Sequence, residues 1–189
     1  MPRLFTGLEV PERVRARLGL VRGPLPGARW IEPENFHITL RFAGDIDNRT
    51  ADEFAGFLDD VEFDPFEIRI SGLGVFGGNA PRTIWAGVEG GEPLVNLQKA
   101  HERAARSAGL APETQTFRPH ITLARLRGTR PEAVARFLGS RGALISEPFP
   151  VDRFLLFSSK PGSGGGPYVV EYAYALGPHY GYGGDEAPV

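Results

Sequence analysis

The tetrapeptide His-Ile-Thr-Leu occurs twice in the chain, at residues 37–40 and 120–123, and takes up two of only four histidines. In an extended strand alternate side chains point to opposite faces, so each copy presents His and Thr on one face and buries Ile and Leu on the other. A chance match of the three residues after any two of four histidines has a probability of roughly 0.2% at ordinary residue usage. The bland alternative is a pair of half-buried strands that each carry a satisfied histidine. A core strand has no need of His and Thr on one face twice. Two such strands side by side would place two imidazoles, His37 and His120, and two hydroxyls, Thr39 and Thr122, around one small volume.

The rest of the chain supports two lobes. Strands are expected over 4–10, 29–31, 36–43, 66–75, 83–89, 117–125, 149–157 and 168–176. Helices are expected over 12–21, 51–60, 92–108 and 131–138, the second capped by Asn48 or Thr50. The 83 residues between the motifs are too many for a solenoid repeat and suit two lobes. Helices and strands interleave without a strict βαβ rhythm, which predicts an α+β fold. The expected form is a bilobal domain over residues 1–176, with two mainly antiparallel sheets, helices outside and a central cleft. The Gly-rich tail, 177–189, is expected to be unordered.

Bulk properties narrow the function. The 189 residues carry 41% hydrophobic and 23% charged side chains and contain no cysteine, which removes disulfides, thiolate nucleophiles and Cys-based metal sites. No apolar run is long enough for a transmembrane helix, and the start lacks a signal core, so the default location is the cytoplasm. A net charge of −2 argues against coating long nucleic acid but allows a grip on one end of a strand. No His-Glu-x-x-His is present and no second carboxylate lies close to either motif, so neither a metal nor another cofactor is expected. Nothing in the chain demands more than a monomer.

Two imidazoles flanking a phosphorus atom can deprotonate a nucleophile and protonate a leaving alkoxide. The Thr hydroxyls can donate to the non-bridging oxygens, where charge develops. Arg41 and Arg118 are in phase with His37 and His120 by simple alternation and are candidate phosphate contacts; Arg125 is out of phase and would need a twist to turn inward. Phe76 and Tyr168 are candidates for stacking on a base. Trp85 is expected in the core. His101 lies on the apolar stripe of a helix and reads as a packed core histidine, while His179 is assigned nothing.

These residues carry a resemblance. The chain resembles the two-histidine (2H) phosphoesterases, marked by paired His-x-Thr-x motifs, and among them the LigT-type RNA 2′,3′-cyclic phosphodiesterases, also called 2′-5′ RNA ligase-like proteins. The likeness runs through Arg3-Leu4-Phe5, Asn35-Phe36-His37-Ile38-Thr39-Leu40-Arg41-Phe42, Gly74-Val75-Phe76, Trp85-Ala86-Gly87-Val88, Phe117 to Arg125, Ser158-Ser159 and Gly166-Pro167-Tyr168. It implies a bilobal fold and metal-independent hydrolysis of a terminal 2′,3′-cyclic phosphate on RNA 3′ ends or nucleotides, leaving a 2′-phosphate. It further implies His37 as proton donor, His120 as the base that activates water, Thr39 and Thr122 as phosphate contacts, and Arg125 as a better match than Arg118. Ligation of RNA ends by the reverse chemistry, or an RNA-end or nucleotide binding module with little turnover, are the alternatives.

Overall fold

The structure, a computed structural model, describes residues 3–141, 143–160 and 166–178. The fold is α+β. Among the described residues nine strands and four α-helices follow in the order β1 (Arg3–Glu9), α1 (Glu12–Gly19), β2 (Ala28–Trp30), β3 (His37–Asp45), α2 (Asn48–Asp59), β4 (Phe66–Phe76), β5 (Thr83–Glu89), α3 (Gly91–Ser107), β6 (His120–Leu126), α4 (Pro131–Arg141), β7 (Phe149–Val151), β8 (Arg153–Ser159) and β9 (Tyr168–Ala175). A 3₁₀ turn, Pro33–Asn35, leads into β3.

The strands run β7-β4-β5-β6-β3-β1-β8-β9, with β2 added to β6, and every pairing is antiparallel. The two sheets expected from the sequence are thus two halves of one curled sheet. They meet at β3 and β6 through a single pair, Ile38 opposite Ile121. Both isoleucines are fully buried. Each contributes roughly 1.5–3 kcal/mol of apolar burial, so the centre of the sheet is fixed between the two motif histidines.

Helices cover one face of this sheet. In α2, Phe54 and Leu58 are wholly buried, and in α3 so are Leu97 and Ala105, with Leu94 nearly so; these positions recur at helical spacing. Helix α3 packs on α2 and β3, while α4 packs on β4. Arg141 at the end of α4 donates to the Val21 carbonyl just beyond α1 (2.9 Å). The helix expected at 51–60 begins earlier: Asp47 is its cap, its carboxylate accepting from the Thr50 amide at 2.7 Å. Asn48 and Thr50 lie inside the first turn, and the nearest side chain in cap position is the one that satisfies the orphan amide.

The expected strand over 149–157 is divided at Asp152. Its first part, β7, pairs with β4, and its second, β8, pairs with β1 in the opposite half. The chain crosses from one lobe to the other at that residue. Most of the Gly-rich loop, 161–165, and the tail from residue 179, including His179, lie outside the described residues. No helix among the described residues is long and apolar enough to cross a membrane.

Candidate active site

The motif copies have the same burial pattern along residues 37–40 and 120–123: half-buried His, buried Ile, half-buried Thr, buried Leu. Ile and Leu go into the helix-covered core, and His37, Thr39, His120 and Thr122 share the opposite face, on either side of the Ile38–Ile121 pair.

Each imidazole is aimed the same way. His37 Nδ1 lies 2.9 Å from the Asn35 carbonyl and His120 Nδ1 lies 2.6 Å from the Arg118 carbonyl. A carbonyl only accepts, so both rings carry their proton on Nδ1 and turn Nε2 toward the open face. At His37, Nε2 accepts from the Thr39 hydroxyl at 3.0 Å.

Aromatic rings hold both histidines in place. Tyr168 meets His37 edge-on at 4.9 Å and Phe5 lies 4.8 Å from it, over a small buried cluster of Phe5, Leu155 and Phe157. In the other lobe Phe76 meets His120 edge-on at 5.0 Å, and Trp85 lies 6.4 Å from His120. Tyr168 and Phe76 therefore have matching places about the two motifs. The core position expected for Trp85 does not hold. It pairs with Thr122, on the site face, and its indole lies across Gly74, where an added Cβ would fall 2.2 Å from the ring. The Trp85–Thr122 register is the signal, and a single strand's pattern does not contain it.

Burial holds His37 at a pKa of about 4; its bond to the Asn35 carbonyl opposes this, and the charges of His120 and Arg125 push further down. Burial also lowers His120, again opposed by a backbone bond, to Arg118, and aided by Arg125. Arg125 thus acts on both histidines. In the absence of substrate both rings are neutral at neutral pH.

The arginines reverse the order that simple alternation predicts. Between Thr39 and Arg41 the β1–β3 register slips by one residue, and between Thr122 and Ala124 the β5–β6 register slips in the same way. Such a bulge flips the phase of every residue beyond it. Arg41 and Ala124 consequently face the core, while Phe42 and Arg125 stand exposed. Arg41 is only 6% exposed, and its guanidinium is committed to Glu102 of α3 and to the Phe42 and Ala111 carbonyls, each at 2.5 Å. It is a structural arginine, not a substrate contact. Arg118 contributes its carbonyl to His120 and leaves its side chain exposed. His101 is a packed core histidine, as expected: it is fully buried, bonded to Thr6 Oγ1 at 2.8 Å, and edge-on to Phe154. Among the described residues no three His, Asp or Glu side chains converge in a way that could hold a metal ion.

Two imidazoles with Nε2 turned to one face, flanked by hydroxyls and one arginine, are an arrangement capable of acid–base chemistry on a phosphate ester. The chain belongs to the LigT-like phosphoesterase family, which it matches over residues 8–85 and 88–168. It is 33% identical to the RNA 2′,3′-cyclic phosphodiesterase of Aquifex aeolicus over 175 residues, which span 89% of this chain and 90% of the relative. It is 30% identical to the Thermotoga maritima protein of the same name, over 90% of this chain and 93% of that one. Among solved structures, a Thermus thermophilus protein superposes with a TM-score of 0.76 at 26% identity, covering 92% of this chain and 97% of that one. Escherichia coli LigT complexed with 3′-AMP shares the fold at a TM-score of 0.74 and 21% identity, covering 93% and 99%.

Proposed function

We propose that this chain hydrolyses the terminal 2′,3′-cyclic phosphate of RNA, or of a nucleotide, to a 2′-phosphomonoester without a metal ion. The observation that carries this reading is the pair of imidazoles with Nδ1 bonded to backbone carbonyls and Nε2 turned to one open face. Curated relatives named RNA 2′,3′-cyclic phosphodiesterase supply the substrate class.

In the proposed reaction His120 takes a proton from water, which attacks phosphorus in line with the 3′-oxygen. His37 gives a proton to that oxygen as the bond to phosphorus breaks, leaving the phosphate on the 2′-oxygen. Thr39, Thr122 and Arg125 stabilise the charge on the non-bridging oxygens. His37 must be protonated to act as the donor, although burial lowers its pKa in the free protein. The same burial strengthens the field of a bound phosphate anion at His37, so substrate binding raises the pKa of the donor it requires. In this reading Phe76 and Tyr168 pack against ribose or base, which their contacts with the two histidines support. The protein acts as a cytoplasmic monomer, with residues 1–176 as the working unit.

The test is an RNA oligonucleotide ending in 2′,3′-cyclic phosphate, incubated with the protein in EDTA, with the 2′- and 3′-phosphate products separated. The reading expects conversion to the 2′-phosphate alone. A 3′-phosphate product, or loss of turnover in EDTA, contradicts it. A ligase reading would instead require 2′-5′ joined oligonucleotides when a second RNA with a free 5′-hydroxyl is supplied.

A further inference from the structure

His37 and His120 are each aimed by the carbonyl of the residue two positions earlier, but the two carbonyls are held in different ways. Arg118 is fixed within its own lobe. Pro119, which follows it, has a rigid ring, and the Pro119 carbonyl accepts from the Val88 amide on β5 at 3.1 Å. Asn35 lies outside the sheet: the β1–β3 ladder ends at the Glu9–His37 pair. It is the last residue of the 3₁₀ turn, its amide donating to the Glu32 carbonyl at 2.9 Å.

A segment far along the chain completes the support. A Cβ on Gly166 would fall 2.5 Å from Oδ1 and from Nδ2 of Asn35, and just as close to the Cγ between them. Near-equal distances to three atoms of one planar group mean that the Asn35 amide lies flat against the Gly166 Cα. The approach requires glycine, and so does the backbone, whose φ there is +103°. Two residues on, Tyr168 meets the His37 ring edge-on. The start of β9 thus bears on His37 twice, once at the ring and once at the residue whose carbonyl holds Nδ1. Beside His120, Phe76 supplies the ring contact and the carbonyl is held locally.

We propose that Gly166 and Asn35 are positioning residues for His37: the close seat of the Asn35 amide on Gly166 fixes the Asn35 carbonyl, which keeps one imidazole proton on Nδ1 and Nε2 on the open face. This rests on the proposed hydrolysis, in which His37 is the donor, and adds the part of the fold that aims it. With Nδ1–H committed to the carbonyl, the proton the ring can give away is the one on Nε2. A carbonyl that swings aside frees the ring to turn or to change tautomer, and a donor displaced by about 1 Å loses on the order of a hundredfold in rate. Neither positioning residue touches the reacting atoms, and His120 does not depend on them.

The experiment is a double-mutant cycle of Gly166→Ala and Asn35→Ala, read by turnover and by imidazole nitrogen NMR. Turnover of 2′,3′-cyclic AMP is compared with that of a nucleoside p-nitrophenyl phosphodiester, whose leaving group needs no proton. Gly166→Ala should lower kcat on the cyclic phosphate at least about tenfold, with KM within about twofold and the p-nitrophenyl reaction within about threefold of wild type. In the Asn35→Ala background, where the obstructing amide is gone, the same substitution should cost less than about threefold. Without substrate at neutral pH, His37 should be protonated on Nδ1 alone in the wild type and a mixture of tautomers in each single variant, with His120 unchanged. Asn35→Ala puts no side chain at a positive φ, so its spectrum decides the matter even if Gly166→Ala does not fold. Equal losses on both substrates, the same cost in both backgrounds, or an unaltered His37 spectrum would overturn the proposal. If the wild type turned over neither substrate, the hydrolysis reading would fail, and the spectra would still decide whether Gly166 and Asn35 aim His37.

Discussion

Replacing Arg41 with alanine separates a structural arginine from Arg125, the arginine proposed for the site, in the same pair of motifs. Arg41 makes an ion pair with Glu102 and bonds to two carbonyls, Phe42 and Ala111, while nearly excluded from solvent. Removing it strands two acceptors and a carboxylate. Breaking a buried pair from one side costs roughly 3–5 kcal/mol. The Glu102 side chain is 21% exposed and can recruit water, which favours the low end, about 3 kcal/mol. For a chain of 189 residues that corresponds to a fall in Tm of roughly 6–12 °C. Activity measured well below the melting range should fall less than about threefold, because Arg41 faces α3 and not the histidines. Arg125→Ala should behave oppositely, with Tm changed by less than about 2 °C and kcat/KM reduced at least about tenfold. Scanning calorimetry and steady-state kinetics on both variants decide it. An Arg41→Ala protein with wild-type Tm and a tenfold loss of kcat/KM would refute the reasoning from the β-bulge.

Burial lowers His101 to about 3 and His37 to about 4, from an ordinary value of 6.5. Folded-state values below the unfolded one mean stability that is complete above pH 6.5 and is lost as pH falls toward 4 and then 3, by several kcal/mol in all. The urea midpoint should drop between pH 7 and 5, and His101→Leu should show a smaller drop, though from a lower starting stability. For catalysis, kcat/KM reports the free protein, where both histidines are lowered, so its bell should peak below pH 6.5. The kcat profile, read with the anion bound, should peak at higher pH; a kcat/KM optimum at or above pH 7.5 counts against the assignment. Gly74→Ala would put a Cβ 2.2 Å from the Trp85 ring and push it toward His120. Overpacking of this kind costs about 1–3 kcal/mol, and kcat/KM should fall at least about fivefold while the circular dichroism spectrum is retained.

The duplicated motif was legible because four adjacent residues carry both its chemistry and its alternation. His37, Thr39, His120 and Thr122 needed only the two-residue period of a strand to be placed on one face. Simple alternation puts Arg41 and Arg125 on the wrong faces, and only the resemblance favours Arg125, because the deciding event, one extra residue at Leu40 and at Leu123, belongs to the register against a neighbouring strand. Trp85 was misplaced for a related reason: an aromatic in an apolar strand reads as core, and only its pairing with Thr122 sets its face. The break at Asp152 is also non-local, since β7 and β8 belong to different lobes although only the polar pair Asp152-Arg153 marks the division within the run 149–157. The helices are legible because their apolar stripes are local; their ends are less so, with Asp47 starting α2 a turn earlier, α1 stopping at Gly19 and α4 running on to Arg141.

The central claim is that His37 and His120 are a matched acid and base, and leaving-group chemistry tests it most directly. Turnover of the 2′,3′-cyclic phosphate, whose leaving alkoxide needs a proton, should be compared with turnover of a nucleoside p-nitrophenyl phosphodiester, whose phenolate does not. The account predicts that His37→Ala loses the cyclic phosphate reaction by at least about a hundredfold and keeps most of the p-nitrophenyl reaction, while His120→Ala loses both. Equal loss of both reactions in His37→Ala, or retained turnover in His120→Ala, would contradict it.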